Sequence, residues 1–125
     1  MSKKVMDETY AVGNLLCPIR HSIDIIGGKW KLPIICVLTS GLPTRYSTIK
    51  RRLTGITNMM LAQSLKELES YGIVHRQQYN EVPPRVEYTL TDKGKSIIPP
   101  LMKLGEWGGS HMQEDKFCVT CKSMK

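Results

Sequence analysis

The sequence lacks a long apolar run. Its longest candidate, Leu32–Leu38, is far shorter than the roughly 20 residues that a membrane-spanning helix needs. Lys3 and Lys4 are followed by Asp7 and Glu8 rather than by the apolar segment of a secretory signal. The 125 residues correspond to about one domain, which is long enough to bury a core. We therefore expect a cytoplasmic protein that has no membrane partner.

Acidic residues are absent between Ile25 and Lys66. A segment of basic residues without acidic partners produces a positive field that attracts polyanions such as nucleic acid. A solvated basic face with no partner is the alternative that composition leaves open. The chain has a formal net charge of +7, and the basic residues of this segment are Lys29, Lys31, Arg45, Lys50, Arg51, Arg52 and Lys66.

Catalytic patterns are also missing. His21, His75 and His111 lie in three different predicted elements, and none accompanies a recognisable nucleophile or carboxylate arrangement. The pair Gly27-Gly28 lacks the spacing of a phosphate-binding loop. We therefore predict that the protein is not an enzyme and uses no cofactor.

The chain has four cysteines, and structural disulfides are not expected in the cytoplasm. Cys17 precedes a predicted helix start, which lowers the pKa of a thiol, so it is a candidate redox residue. A packed, unreactive thiol is the alternative for Cys17, and we interpret Cys36 as core packing. Cys118 and Cys121 form a CxxC pair that supplies two of the four ligands of a structural zinc site. We therefore predict no metal site and keep this pair only as a candidate.

Two apolar helices are predicted first. Pro18 suits a first helical turn, and isoleucines at helical spacing follow it up to the break at Gly27-Gly28. The next helix, from about Trp30 to Leu38, contains Pro33, so it either starts near Trp30 or is kinked. Residues 44–46 form a very short predicted strand.

Two further helices and a hairpin follow. Ser47 is predicted to cap a short helix, Thr48–Leu53, and Thr57 to cap a longer one that ends near Tyr71. Leu61, Leu65 and Leu68 should face inward on the longer helix, and Gly72 suits its end. The period then changes to that of strands at 74–79 and 86–90, joined by a Pro-rich tip. Thr91 caps a last helical region, which Pro99-Pro100 bends or restarts.

This order predicts an α+β, mostly α fold, a winged helix-turn-helix with terminal dimerisation helices. We assign residues 1–17 to an N-terminal arm, 18–91 to the DNA-binding domain, and 92–125 to the dimerisation helix and C-terminal tail. Since the major groove of B-DNA admits one helix, the outward edge of the longer helix should read bases. The predicted contacts with double-stranded DNA are Arg45, Ser47, Lys50, Arg51, Arg52, Thr57, Asn58, Met59, Gln63, Lys66, Arg76 and Arg85.

The last helix, Ile97–Trp107, carries more apolar surface than a winged-helix domain covers alone. A large exposed apolar patch usually marks an interface. We therefore predict a homodimer whose interface contains Ile97, Ile98, Leu101, Leu104 and Trp107.

The sequence resembles the HxlR-type bacterial transcriptional regulators. The resemblance implies a homodimer that binds a pseudo-palindromic operator and dimerises through its terminal helices. Some relatives sense oxidants through the cysteine that corresponds to Cys17, and the effector of this chain stays unknown. Met59 and Ser64 depart from the family pattern, which commonly has basic residues there. The stretches that carry the resemblance are Cys17-Pro18, Ile26-Gly27-Gly28-Lys29-Trp30, Gly55-Ile56-Thr57, Leu65-Lys66-Glu67-Leu68-Glu69, Gly72-Ile73-Val74, Glu81-Val82-Pro83-Pro84-Arg85-Val86-Glu87-Tyr88-Thr89-Leu90-Thr91, and Trp107-Gly108.

Two other functions stay open at this point. The protein could be a thiol or metal sensor whose DNA binding is secondary, because Cys17, Cys118 and Cys121 offer the chemistry for either. It could also be an interaction module that uses the basic face or the hairpin to bind a protein or RNA.

Overall fold

The computed structural model describes residues 17–113. They form helices and one three-stranded antiparallel sheet in the order β1-β3-β2. No helix in this part of the chain combines the length and apolar character that crossing a membrane requires. The elements are α1 (Pro18–Ile26), α2 (Lys31–Val37), β1 (Thr44–Arg45), α3 (Tyr46–Arg52), α4 (Asn58–Ser70), β2 (Val74–Tyr79), β3 (Arg85–Leu90), α5 (Asp92–Lys95) and α6 (Ile98–Gly109), with a 3₁₀ turn at Leu38–Ser40 after α2.

One hydrophobic core joins α2, α3 and α4 to the sheet. Ile34, Leu38, Ile49, Leu61 and Leu68 have no exposed surface. They come from the 3.6-residue apolar periodicity of three different helices and the turn after α2, and that periodicity explains why the helices pack together. The predicted fold class, mostly helical with a small antiparallel sheet, is confirmed.

The position of Pro33 decides between the two predicted forms of α2. The helix begins at Lys31 with Trp30 at its N-cap, so Pro33 is the third helical residue. The first backbone N–H groups of a helix have no partner inside it, and a proline there removes no hydrogen bond. The N–H of Ile34 then donates to the carbonyl of Trp30 at 3.0 Å, and α2 starts where the first alternative placed it.

The predicted cap of α3 is wrong. The helix begins at Tyr46 and not at Thr48, its N-cap is Arg45, and Ser47 lies inside the first turn. Thr44 and Arg45 pair with Tyr88 and Glu87 of β3, and this pairing holds the backbone extended up to Arg45. Since the strand ends there, the helix starts one residue later without a side-chain cap.

The ends of α4 match the prediction. The Thr57 hydroxyl accepts a hydrogen bond from the N–H of Met60 at 3.1 Å. Leu61, Leu65 and Leu68 are buried. After the helix, Gly72 has a φ of +78°, a left-handed conformation that glycine adopts at little cost.

Thr91 connects the hairpin to the last helices. Strands β2 and β3 pair from Val74 opposite Leu90 to Tyr79 opposite Arg85, which confirms the hairpin. The Thr91 hydroxyl donates to the Gly72 carbonyl at 2.5 Å and accepts from the N–H of Gly94 at 2.9 Å. The predicted restart at Pro99-Pro100 is also observed, because α5 ends at Lys95 and α6 begins at Ile98.

Removal of the α4 cap should weaken the fold measurably. We expect Thr57→Ala to lower the free energy of unfolding by about 1 kcal/mol, because the Met60 N–H loses its acceptor. Thr57→Ser should restore most of the loss. The measurement is denaturant unfolding at equal protein concentrations, with Thr54→Ala as the matched control at an exposed threonine outside the helices. Equal losses in the two alanine variants would contradict a capping role for Thr57.

Candidate nucleic-acid interface

The outward edge of α4 is polar and accessible. Asn58, Met59, Ala62, Gln63 and Lys66 are all exposed, on the side opposite the buried leucines. Amide side chains can bond adenine bidentately, and methyl groups can contact the methyl group of thymine. The Gln63 amide donates to Glu67 at 3.3 Å on the helix surface. The predicted reading edge is therefore presented by one face of one helix.

Tyr46 ties α3 to the start of α4, a contact that the sequence analysis missed. Its hydroxyl donates to the backbone carbonyl of Asn58 at 3.1 Å and lies 3.5 Å from that residue's side-chain oxygen. Partial burial raises the pKa of Tyr46, and the neighbouring Tyr88 adds to the increase. The tyrosine therefore keeps its proton at neutral pH, and the bond fixes the entry of α4 relative to α3.

The last turn of α3 concentrates positive charge. Lys50, Arg51 and Arg52 follow one another there, and the two arginines are exposed. Within residues 17–113 none of the three forms an ion pair. The negative end of the helix dipole favours cations at this position. These side chains are consequently available to an external polyanion.

Lys31 does not belong to the available positive surface. Its ammonium group lies 2.8 Å from a carboxylate oxygen of Glu67, and its side chain is only 12% exposed. This hydrogen bond, followed by the one from Gln63, lowers the pKa of Glu67. The acid-free segment therefore does have an acidic partner, which is the first residue after it.

The two arginines near the hairpin tip differ in their environment. Arg76 is exposed and donates to Gln78 at 3.0 Å. Arg85 donates to Glu81 at 2.7 Å and to Glu87 at 2.5 Å, and it stacks on the ring of Tyr79 at 3.8 Å. The charge of Arg85 is thus already paired inside the protein, which its prediction as a DNA contact did not anticipate.

A groove of about 450 Å³ brings α3, α4 and the hairpin to one side of the molecule. Ala62 lines it from the outward edge of α4, and Pro84 lines it from the hairpin tip. Four of the predicted DNA contacts also line this groove, namely Arg45, Ser47, Arg76 and Arg85. The reading edge and the hairpin therefore face the same direction.

The predicted interface residues of the last helix fall into two groups. Ile98 and Leu101 pack partly against the core, and Ile97 is half-buried. Leu104 and Trp107 are 56% and 66% exposed. Helix α1 adds two exposed isoleucines that the prediction did not include, Ile19 at 73% and Ile23 at 52%.

The cysteines within the described residues are both half-buried. Cys17 is the N-cap residue of α1, as predicted from Pro18, and Cys36 lies in α2. Cys118 and Cys121 lie outside the described residues. Within residues 17–113 no three histidine, cysteine or acidic side chains are grouped closely enough to hold a metal ion.

The chain is similar to known transcriptional regulators over most of its length. The family model described as HxlR-like helix-turn-helix matches residues 25–116. An HTH-type transcriptional regulator of Methanothermobacter thermautotrophicus is 52% identical over 101 residues, which are 78% of this chain and 76% of that protein.

Two solved structures share both sequence and fold. The HTH-type transcriptional regulator YtcD, known from Bacillus subtilis, is 43% identical with a TM-score of 0.72, over 77% of this chain and 97% of that one. The redox regulator HypR in its oxidized form is 41% identical with a TM-score of 0.67, over 78% of this chain and 99% of that one. The chain belongs to the HxlR-like helix-turn-helix family and is a DNA-binding transcriptional regulator of that type.

Proposed function

We propose that the protein binds a pseudo-palindromic operator in double-stranded DNA as a homodimer, with one α4 helix of each copy in a major groove. The observation that supports this most is the outward polar edge of α4 beside the unpaired basic turn of α3. The proposed activity is binding in the cytoplasm and involves neither catalysis nor a cofactor.

The proposed roles follow from side-chain chemistry. Asn58 and Gln63 suit hydrogen bonds to adenine, and Met59 suits an apolar contact with thymine. Lys66 and Thr57 suit phosphates at the two ends of the reading edge. The basic turn of α3, Lys50, Arg51 and Arg52, suits the sugar–phosphate backbone, and such contacts position the protein without reading sequence. Arg45, Ser47 and Arg76 extend the phosphate contacts into the groove.

Base readout and phosphate contact should separate in two variants. Gln63→Ala should relax the preference at one base pair, at a cost of about 1–3 kcal/mol on the preferred sequence. Arg51→Ala should weaken binding to every duplex and reduce the salt slope of log K by about 0.9. The measurement is fluorescence anisotropy at several salt concentrations, on duplexes selected in vitro from a random pool.

Gln77→Ala is the matched control for Gln63, because Gln77 follows Arg76 in the strand and therefore points to the opposite face of the sheet from the groove. Its base preference should equal that of the unmodified protein. A wild-type affinity that does not change between low and moderate salt would contradict DNA binding. A reversal of the Gln63 and Arg51 effects would reject the assignment of α4 to the groove.

The proposed homodimer uses the exposed apolar side chains of the terminal helices. Leu104 and Trp107 of α6 and Ile19 and Ile23 of α1 are large and uncovered in the single chain. Exposed apolar patches of this kind mark interfaces in soluble proteins. A two-fold pair of α4 helices would also match the symmetry of a palindromic site, with half-sites about one helical turn apart.

A charge in this patch should separate the copies. Light scattering after size exclusion should give the unmodified protein about twice the chain mass of 14.2 kDa. Leu104→Asp should give a single chain mass, because two carboxylates would be buried without partners. Val82→Asp changes an equally apolar exposed residue on the hairpin and should leave the mass unchanged. An unchanged mass for Leu104→Asp would place the interface elsewhere.

Thiol regulation is a further part of the proposal. The similar structure of HypR is described as a redox regulator in its oxidized form. Here the thiol of Cys17 lies at the N-cap of α1, where the positive end of the helix dipole stabilises a thiolate. Because α1 also carries the exposed isoleucines, modification of Cys17 would act beside the proposed dimer interface.

Oxidation should change DNA affinity through Cys17. Treatment with a mild thiol oxidant such as diamide should shift the dissociation constant of the unmodified protein, and reductant should reverse the shift. Cys17→Ser should abolish the response, whereas Cys36→Ser should retain it. The measurement is the anisotropy titration with and without oxidant. A full response in Cys17→Ser would exclude Cys17 as the sensing residue.

A further inference from the structure

The hairpin tip contains a closed cluster of charges around Arg85. Each of its three guanidinium nitrogens donates to a carboxylate, Nη2 and Nε to Glu81 and Nη1 to Glu87. The face of the guanidinium covers the Tyr79 ring, and the side chain is only 23% exposed. Such forked ion pairs fix geometry as well as charge. The arginine therefore braces the two ends of the tip against each other.

This cluster leaves the tip without net charge. Arg45 lies opposite Glu87 in the register of β1 and β3. The hydrogen bond from Arg85 lowers the pKa of Glu81, and the charge of Arg45 lowers it further. The two arginines and the two glutamates balance each other, so this part of the hairpin has no excess positive charge with which to neutralise a phosphate.

The outermost side chain of the tip is apolar. Val82 is 101% exposed, and Pro83 and Pro84 beside it are also exposed. These residues lie beyond the last pair of the strand ladder, Tyr79 opposite Arg85. The tip therefore presents a small apolar point on a braced base, which suits a confined groove better than a charged backbone.

The tip is placed where DNA would pass. Ala62 of α4 and Pro84 of the tip line the same groove. A duplex whose major groove holds α4 presents its minor groove on the other side of the adjacent strand. The tip would meet that minor groove, and architectural proteins insert apolar side chains at this place.

We propose that Val82 enters the flanking minor groove as an apolar wedge, and that Arg85 is a positioning residue which holds the wedge and does not contact DNA. This inference rests on the proposed DNA binding. It also changes the role predicted for Arg85 from the sequence, from a DNA contact to a brace of the hairpin.

The minor groove can be tested with inosine. A guanine places an amino group on the floor of the minor groove, whereas inosine·cytosine lacks it and keeps the major-groove pattern of guanine·cytosine. In the flanks of a selected duplex, one A·T pair after another is replaced by G·C or by I·C. At the wedge position, G·C should weaken binding about tenfold and I·C should not. Val82→Ser should remove this difference.

The brace can be tested by salt dependence. Arg85→Met should weaken binding without changing the salt slope, whereas loss of a phosphate contact would reduce the slope by about 0.9. Arg76→Met is the matched control, since Arg76 has no carboxylate partner within residues 17–113, and it should reduce the slope. In the Val82→Ser background, Arg85→Met should cost little more, because the wedge that it positions is absent.

The outcomes separate this inference from the proposed function. Binding by the unmodified protein together with unchanged affinity of Val82→Ser overturns the wedge alone. An I·C pair that weakens binding as much as G·C overturns the minor-groove contact, and a reduced slope in Arg85→Met overturns the positioning role. Failure of the unmodified protein to bind any duplex overturns both. Val82 is fully exposed, so its variant tests the proposal even if Arg85→Met does not fold.

Discussion

The burial of three leucines decides which side of α4 faces outward. Leu61, Leu65 and Leu68 are at most 1% exposed, and any rotation of the helix would bring at least one of them into water. The edge from Asn58 to Lys66 therefore has a fixed direction. Thr57 caps the start of the helix and Tyr46 bonds to the same turn, so the position as well as the rotation of this edge is determined.

The distribution of charge divides the work of DNA recognition among three elements. The unpaired basic turn of α3 suits the phosphate backbone, and the nearly uncharged edge of α4 suits bases. In contrast, Lys31 and Arg85 are engaged inside the protein, one with Glu67 between α2 and α4 and the other at the hairpin tip. Net charge alone therefore overstates the surface that a polyanion can reach, and it does not distinguish a bracing arginine from a binding one.

The elements that depend on neighbours in sequence were predictable, and those that depend on distant partners were not. Periodicity placed the leucines of α4 and the alternation of β3, and the cap at Thr57 is a local signal. The cap at Ser47 failed because pairing of β1 with β3, far along the chain, sets where α3 begins. Likewise, no spacing connects Lys31 to Glu67. The braces of Arg85 lie four residues before it and two after it, so the strand and hairpin pattern could have revealed them.

The central claim is that the Asn58–Gln63 edge of α4 lies in the major groove, and one chemical probe reads this directly. Dimethyl sulfate methylates guanine at N7 in the major groove and adenine at N3 in the minor groove. On a bound operator, guanine N7 should be protected in two patches about one helical turn, or roughly 10 base pairs, apart. Guanine N7 that stays fully reactive at every position of the bound site would contradict a reading helix in the major groove.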